Sequence, residues 1–256
     1  MKKGVLTVIA VLLSVSGFGQ KTADIGLWGG ASTYWGDLQE VEFSQSVNPV
    51  YGAFFRYNFN ARVSLRAIYL FGKINAVGYI EGRLWDDLSD ISYDLPPDWS
   101  PKMIHDFSFM IEINYLKYVL GLKKTPVSPY IMGGVGVMYF PYTLDPRAIY
   151  MFNQRHNKED IEVNESVMAP VIPFGMGVKT HIGKRFGIGA EFIIQKLFSD
   201  KLDNLDDPLA HINSHGDEVI YNNLWHNNDY TAYLGINLTY KIYLGKEICP
   251  AYESKN

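Results

Sequence analysis

Cysteine is almost absent: Cys249 is the single one among 256 residues, and one cysteine excludes an internal disulfide. Long apolar runs are missing as well. No window reaches the roughly 18 consecutive apolar residues of a spanning helix, which excludes a helical membrane protein. There is no phosphate loop, dinucleotide fingerprint or nucleic-acid signature, so nucleotide-dependent enzymes and nucleic-acid binders drop out. Metal-ligand spacing is equally poor. His211 and His215 stand at a spacing that holds a metal only on a helix, and the surrounding sequence carries no helical stripe. Asp203, Asp206 and Asp207, like Asp86, Asp87 and Asp90, lack the ordered alternation and glycine of a calcium loop. No cofactor, metal or small-molecule substrate is expected.

What the chain does have is alternation. Asp229 to Tyr243, DYTAYLGINLTYKIY, places Tyr230, Ala232, Leu234, Ile236, Leu238, Tyr240 and Ile242 on one face of a strand. Thr231, Tyr233, Gly235, Asn237, Thr239, Lys241 and Tyr243 fall on the other. A strand of a soluble sheet usually runs about five or six residues, whereas a tilted strand needs about nine to eleven to cross a bilayer. The length favours the membrane.

The first residues have the form of an address. Lys2 and Lys3 precede an apolar run from Val5 to Val15, then Gly17, Phe18, Gly19 and Gln20. A basic head, a short apolar core and small residues before the cut make a secretory signal peptide of residues 1–19, with the mature domain spanning 20–256. No cysteine stands at the mature start to take a lipid.

Seven further segments share the alternation: 23–34, 49–57, a third from Val63, 104–115, 129–140, 171–182 and 186–198. The connections alternate between short ones, such as Asn58–Ala61 and Gly183–Arg185, and long polar ones at 75–103, 141–169 and 199–228. Eight strands joined alternately by short and long connections predict an all-β, eight-stranded antiparallel transmembrane barrel of outer-membrane type. Long loops would face outward, and both termini would lie in the periplasm.

On the inner faces fall Arg56, Arg66, Asp106, Glu112, Lys179, Glu191 and Lys241. Isolated charges in so narrow a lumen are costly, so they are expected to form one mutually paired network that plugs the barrel. Aromatic girdles are expected at Tyr34, Trp35, Tyr69, Phe71, Tyr139, Phe198 and Tyr230 on one level, and at Tyr57, Tyr115, Tyr130, Phe186, Tyr240 and Tyr243 on the other. The long loops are acidic, with Asp37, Glu40, Asp90, Glu159 and Asp206 among their carboxylates. The short turns carry Arg62, Lys117, Lys123, Lys124, Lys184 and Arg185. A basic rim of this kind suits an acidic periplasmic partner, and outer-membrane lipid surrounds the wall.

Some small barrels modify lipids with a histidine and serine near the outer rim. Here His215 with Ser214, or His226, lies in loop sequence, and no strand-borne pair supports that chemistry.

With the strands placed, four stretches resemble a family of Bacteroidetes outer-membrane barrels, the PorG-like components of the type IX secretion and gliding machinery. They are ADIGLWGGASTYWGDL, VYGAFFRYNFNARVSLR, MIHDFSFMIEINYLKY and TPVSPYIMGGVGVMYF. The resemblance implies a non-enzymatic barrel that contacts a periplasmic ring of PorK- and PorN-like proteins, and it brings no catalytic residues. The alternative is a stand-alone barrel of the OmpX or OmpA kind, serving adhesion or envelope integrity.

Overall fold

The computed structural model describes residues 22–35, 47–75, 101–121, 126–143, 164–199, 201–202, 211–212, 218–219 and 229–244. The expected signal peptide, the acidic loop clusters and Cys249 lie outside the described residues.

Eight strands close into one antiparallel barrel. They are β1 (Thr22–Trp35), β2 (Asn48–Asn58), β3 (Val63–Ile74), β4 (Lys102–Asn114), β5 (Val127–Thr143), β6 (Asn164–Ile182), β7 (Phe186–Leu197) and β10 (Tyr230–Tyr243). Between β7 and β10 a minimal hairpin pairs β8 (His211–Ile212) with β9 (Glu218–Val219), inside a stretch expected to be loop throughout. The barrel order is β1-β10-β7-β6-β5-β4-β3-β2, so the first and last long strands meet and no barrel edge is left open. The β1–β10 seam runs from Thr22↔Tyr243 to Trp35↔Tyr230.

Alternation decides which side chains face which solvent. Along β4, Phe107, Phe109, Ile111 and Ile113 are exposed while Asp106, Ser108, Met110 and Glu112 are buried. Along β10, Leu234, Ile236 and Leu238 are exposed while Asn237, Thr239 and Lys241 are buried. An apolar exterior around a polar interior is the inverse of a soluble barrel and the pattern of a membrane-spanning one.

The lumen is full. Gly26 and Gly235 sit where a Cβ would run into the rings of Phe54 and Trp28, so their lack of a side chain makes room for two inward aromatics. At the short turns, Gly121 and Gly183 adopt φ of 92° and 70°, the left-handed region that glycine enters without strain.

Two strands extend well past the bounds that the alternation predicts. β6 begins at Asn164 instead of Val171, and β5 covers 127–143 instead of 129–140. The extension is a ladder from Tyr139↔Met168 to Thr143↔Asn164. Polar Asn164, Glu165 and Ser166 read as loop because their partner strand, not their own pattern, makes them β.

Candidate functional site

From the short-turn end upward, the lumen holds a sequence of polar and apolar layers. The floor is the connection after β4. There Tyr118 and Leu120 are buried, the Tyr118 amide donates to the carbonyl of Ala61 at 2.9 Å, and Lys241 Nζ donates to the carbonyl of Leu120 at 2.9 Å. Burial pushes the Tyr118 hydroxyl above the ordinary tyrosine range.

Above the floor, Arg56 of β2 lies 3.0 Å from Glu112 of β4 and 3.5 Å from Asp24 of β1. Lys179 of β6 reaches the same Glu112 and lies over the Tyr130 ring at 4.8 Å. Next comes a bidentate pair in which Arg66 of β3 donates two 2.7 Å hydrogen bonds to Glu191 of β7. Glu191 also accepts from the Tyr130 hydroxyl at 2.5 Å and from Asn237 at 3.1 Å. The Phe54 ring lies beneath both guanidinium groups, 4.1 Å from that of Arg66 and 5.0 Å from that of Arg56. A carboxylate with several donors and a facing guanidinium is the arrangement in which buried charge is tolerated.

Of the seven lumen charges, Asp106 stands apart from the ion-paired layers. Asp106, nearer the long-loop end, accepts from the neutral groups of Ser108 at 2.8 Å and Gln195 at 2.5 Å. Lys241 bonds the floor and stands opposite Asp24 of β1 in the strand register. Between Asp106 and the paired layers lies an apolar band that includes Met110, Met132 and Ile193. The partition follows from height along the strands: residues share the inner face yet reach only neighbours at their own level.

The long-loop end is closed by residues just beyond β7. Leu202 is buried, and Lys102 of β4 donates to the carbonyls of Lys201 at 3.1 Å and Leu202 at 2.6 Å. Asp229 accepts from the Leu202 amide at 2.9 Å and from the Tyr34 hydroxyl at 2.5 Å.

Tyr34 and Tyr130 therefore do not join the aromatic girdles expected of them. Each is buried inside the barrel and bonded to a carboxylate. Strand parity explains both: Ile131, next to Tyr130, is exposed, and Tyr34 shares the parity of buried Trp28 and Ser32. Asp24 and Asp229 are the lumen carboxylates absent from the charge set read off the sequence. Asp24 stands on the inner face beside exposed Ile25, a signal available without coordinates.

Four of the six rim cations, Arg62, Lys117, Lys184 and Arg185, are exposed on connections at one end of the barrel. Backbone bonds tie those connections together: the Asn114 amide to the carbonyl of Arg62 at 2.7 Å, and the Lys241 amide to that of Arg185 at 2.9 Å. Lys123 and Lys124 lie outside the described residues. Of the histidines, His105 is exposed on β4, with its Nδ1 2.7 Å from the Tyr69 hydroxyl. Among the described residues no three His, Cys, Asp or Glu side chains are grouped to hold a metal ion.

A family model described as a domain of unknown function, DUF6089, matches residues 3–252. The chain belongs to this family. No curated protein matches the sequence. Among solved structures, this DUF6089 chain is similar to Neisserial surface protein A, with 8% identity, coverage of 86% of this chain and 97% of that one, and a TM-score of 0.49. It is similar to the attachment invasion locus protein Ail of Yersinia pestis, at 10% identity, 87% and 99% coverage and a TM-score of 0.44. A third similar structure is the outer membrane protein OprG of Pseudomonas aeruginosa, at 10% identity, 88% and 98% coverage and a TM-score of 0.39.

Proposed function

We propose that this protein is a non-enzymatic barrel of the outer membrane that anchors or organises the periplasmic ring of a type IX secretion and gliding machinery. In this reading residues 1–19 are removed on export, and both mature termini and the short turns face the periplasm. The observation that carries it is the pairing of a closed lumen with a basic rim. Arg56, Arg66, Glu112 and Glu191 are buried across the bore, with side chains 0–2% exposed, which leaves no polar conduit for cargo at their level. At the short-turn end, Arg62, Lys117, Lys184 and Arg185 are exposed to solvent. A protein with this distribution acts through a surface, and an acidic periplasmic partner complements it. The sequence resemblance to PorG-like barrels supports a PorK- and PorN-like ring as that partner.

The test is charge reversal of Lys123, Lys124, Lys184 and Arg185 to glutamate, four cations of the short connections that belong to neither the lipid-facing nor the lumen residues read from the sequence. Exposed charges contribute roughly 1 kcal/mol or less each, so several are reversed together. The variant should insert normally and keep the heat-dependent gel shift of a closed barrel. Co-purification with ring proteins and secretion should both fall. A variant that inserts and still co-purifies and secretes as the parent does would remove the charge argument, whereas a parent that co-purifies with no ring protein would leave a stand-alone barrel of the OmpX or OmpA kind.

A further inference from the structure

The barrel wall is not uniform. On its lipid-facing side, between β4 and β10, lies an apolar depression of about 570 Å³, within the roughly 300–1,000 Å³ range of small-molecule sites. Its origin is legible in the register. Pro129 pairs with Val178, and Val178 with Ala190, so three short side chains stand in one outward row across β5, β6 and β7. The neighbouring row toward the long-loop end joins Ile113, Ile131, Met176, Phe192 and Leu234, all long. Tyr115, 74% exposed, walls the hollow at its short-turn side.

Two cations flank Tyr115 in space or in sequence. Arg62 Nη1 donates to the carbonyl of Tyr115 at 2.8 Å, and the exposed Lys117 follows two residues later. The chain is held in this place by the Tyr115 amide, which donates to the carbonyl of Pro129 at 3.0 Å. A guanidinium carries five N–H donors, and Arg62 is exposed at the level where strands end and turns begin. An apolar hollow walled by a tyrosine whose carbonyl an exposed Arg holds, with an exposed Lys two residues on, suits an acyl chain joined to a phosphate headgroup.

We propose that this hollow is a site for one anionic phospholipid of the leaflet on the short-turn side. The part of an acyl chain nearest the glycerol lies along Pro129, Val178 and Ala190, and the phosphate meets Arg62 and Lys117. Water does not fill an apolar hollow facing hydrocarbon, and a gap there forfeits dispersion contacts, so a chain seated in it is favoured over bulk lipid packing. Charge complementarity selects the headgroup. The proposal rests on the membrane-barrel reading and is independent of the secretion role, since the cations concerned are not those reversed in the ring test.

The experiment is native mass spectrometry of the intact protein in non-ionic detergent, with phosphatidylglycerol and phosphatidylcholine of identical chains as probes. Three proteins are compared: the parent, Arg62→Glu with Lys117→Glu, and Ala190→Phe, which fills the hollow from outside without touching the lumen. The parent should retain one phosphatidylglycerol in preference to phosphatidylcholine by roughly tenfold, the scale of two exposed charges. The double reversal should abolish the preference, and Ala190→Phe should reduce retention of both lipids. Absence of a preference in the parent, or equal retention by all three proteins, would overturn the site. A heat-dependent gel shift in each sample separates the two readings: with the shift present, failure belongs to the lipid site, and without it in the parent, to the barrel.

Discussion

Arg66 and Glu191 face each other across the full bore of the barrel. Their strands, β3 and β7, are four steps apart in either direction round the closed order, yet the two side chains share two 2.7 Å hydrogen bonds and are fully buried. The pair is a crossbar between opposite walls.

Removing one end of that crossbar should be severe. Arg66→Ala leaves Glu191 charged and buried, a change that costs about 3–5 kcal/mol where it has been measured in protein interiors. Replacing both residues by methionine should restore much of the loss, because an apolar pair of similar volume removes the desolvation penalty as well. Urea unfolding in detergent, read by the heat-dependent gel shift, would measure both. A single variant as stable as the parent would show that the pair contributes nothing.

The closed lumen makes a statement about permeation. Reconstituted in planar bilayers, the protein should show no steady ion conductance, because Tyr118 and Leu120 close one end and Leu202 lies over the other. A reproducible ohmic conductance in single-channel records would contradict this.

Lumen packing can be probed by adding bulk. Gly235→Val would drive a side chain into the Trp28 ring, which itself stands edge-on to Tyr233 with centroids 6.4 Å apart. Overpacking of this kind costs about 1–3 kcal/mol, and the unfolding midpoint should fall accordingly. Ala53→Val, on the exposed face of β2, serves as the control that should leave the midpoint unchanged.

Asp229 holds the long-loop closure through Tyr34 and the Leu202 amide. Asp229→Ala strands those donors, at about 1–3 kcal/mol for a buried group left unpaired. Protease added to intact cells should then cut after β7 sooner than in the parent, while the barrel keeps its gel shift. Equal cleavage rates would show that the closure does not depend on this carboxylate.

Most of the barrel could be read from the chain because period-two alternation is a local property. β4 and β10 announce themselves residue by residue, and the turns at Asn58–Ala61 and Gly183–Arg185 are marked by their own residue types. The extended start of β6 was hidden, since Asn164, Glu165 and Ser166 join a ladder only through pairing with β5. The same distinction governs the lumen. Parity tells that Arg66 and Glu191 point inward, but which acid meets which base depends on strand heights around a closed sheet. Tyr34 and Tyr130 show the remaining difficulty: an aromatic near a strand end looks like an interfacial anchor until parity is applied strictly.

Sliding one strand past its neighbour by two residues leaves every lipid-facing side chain facing lipid, so hydrophobic patterning cannot distinguish the native stagger from its even-numbered alternatives. Such a slip moves a side chain about 7 Å along the strand. An Arg66 displaced by that distance loses both of its hydrogen bonds to Glu191. The crossbar thus acts as a vernier mark, rejecting staggers that the bilayer alone would accept.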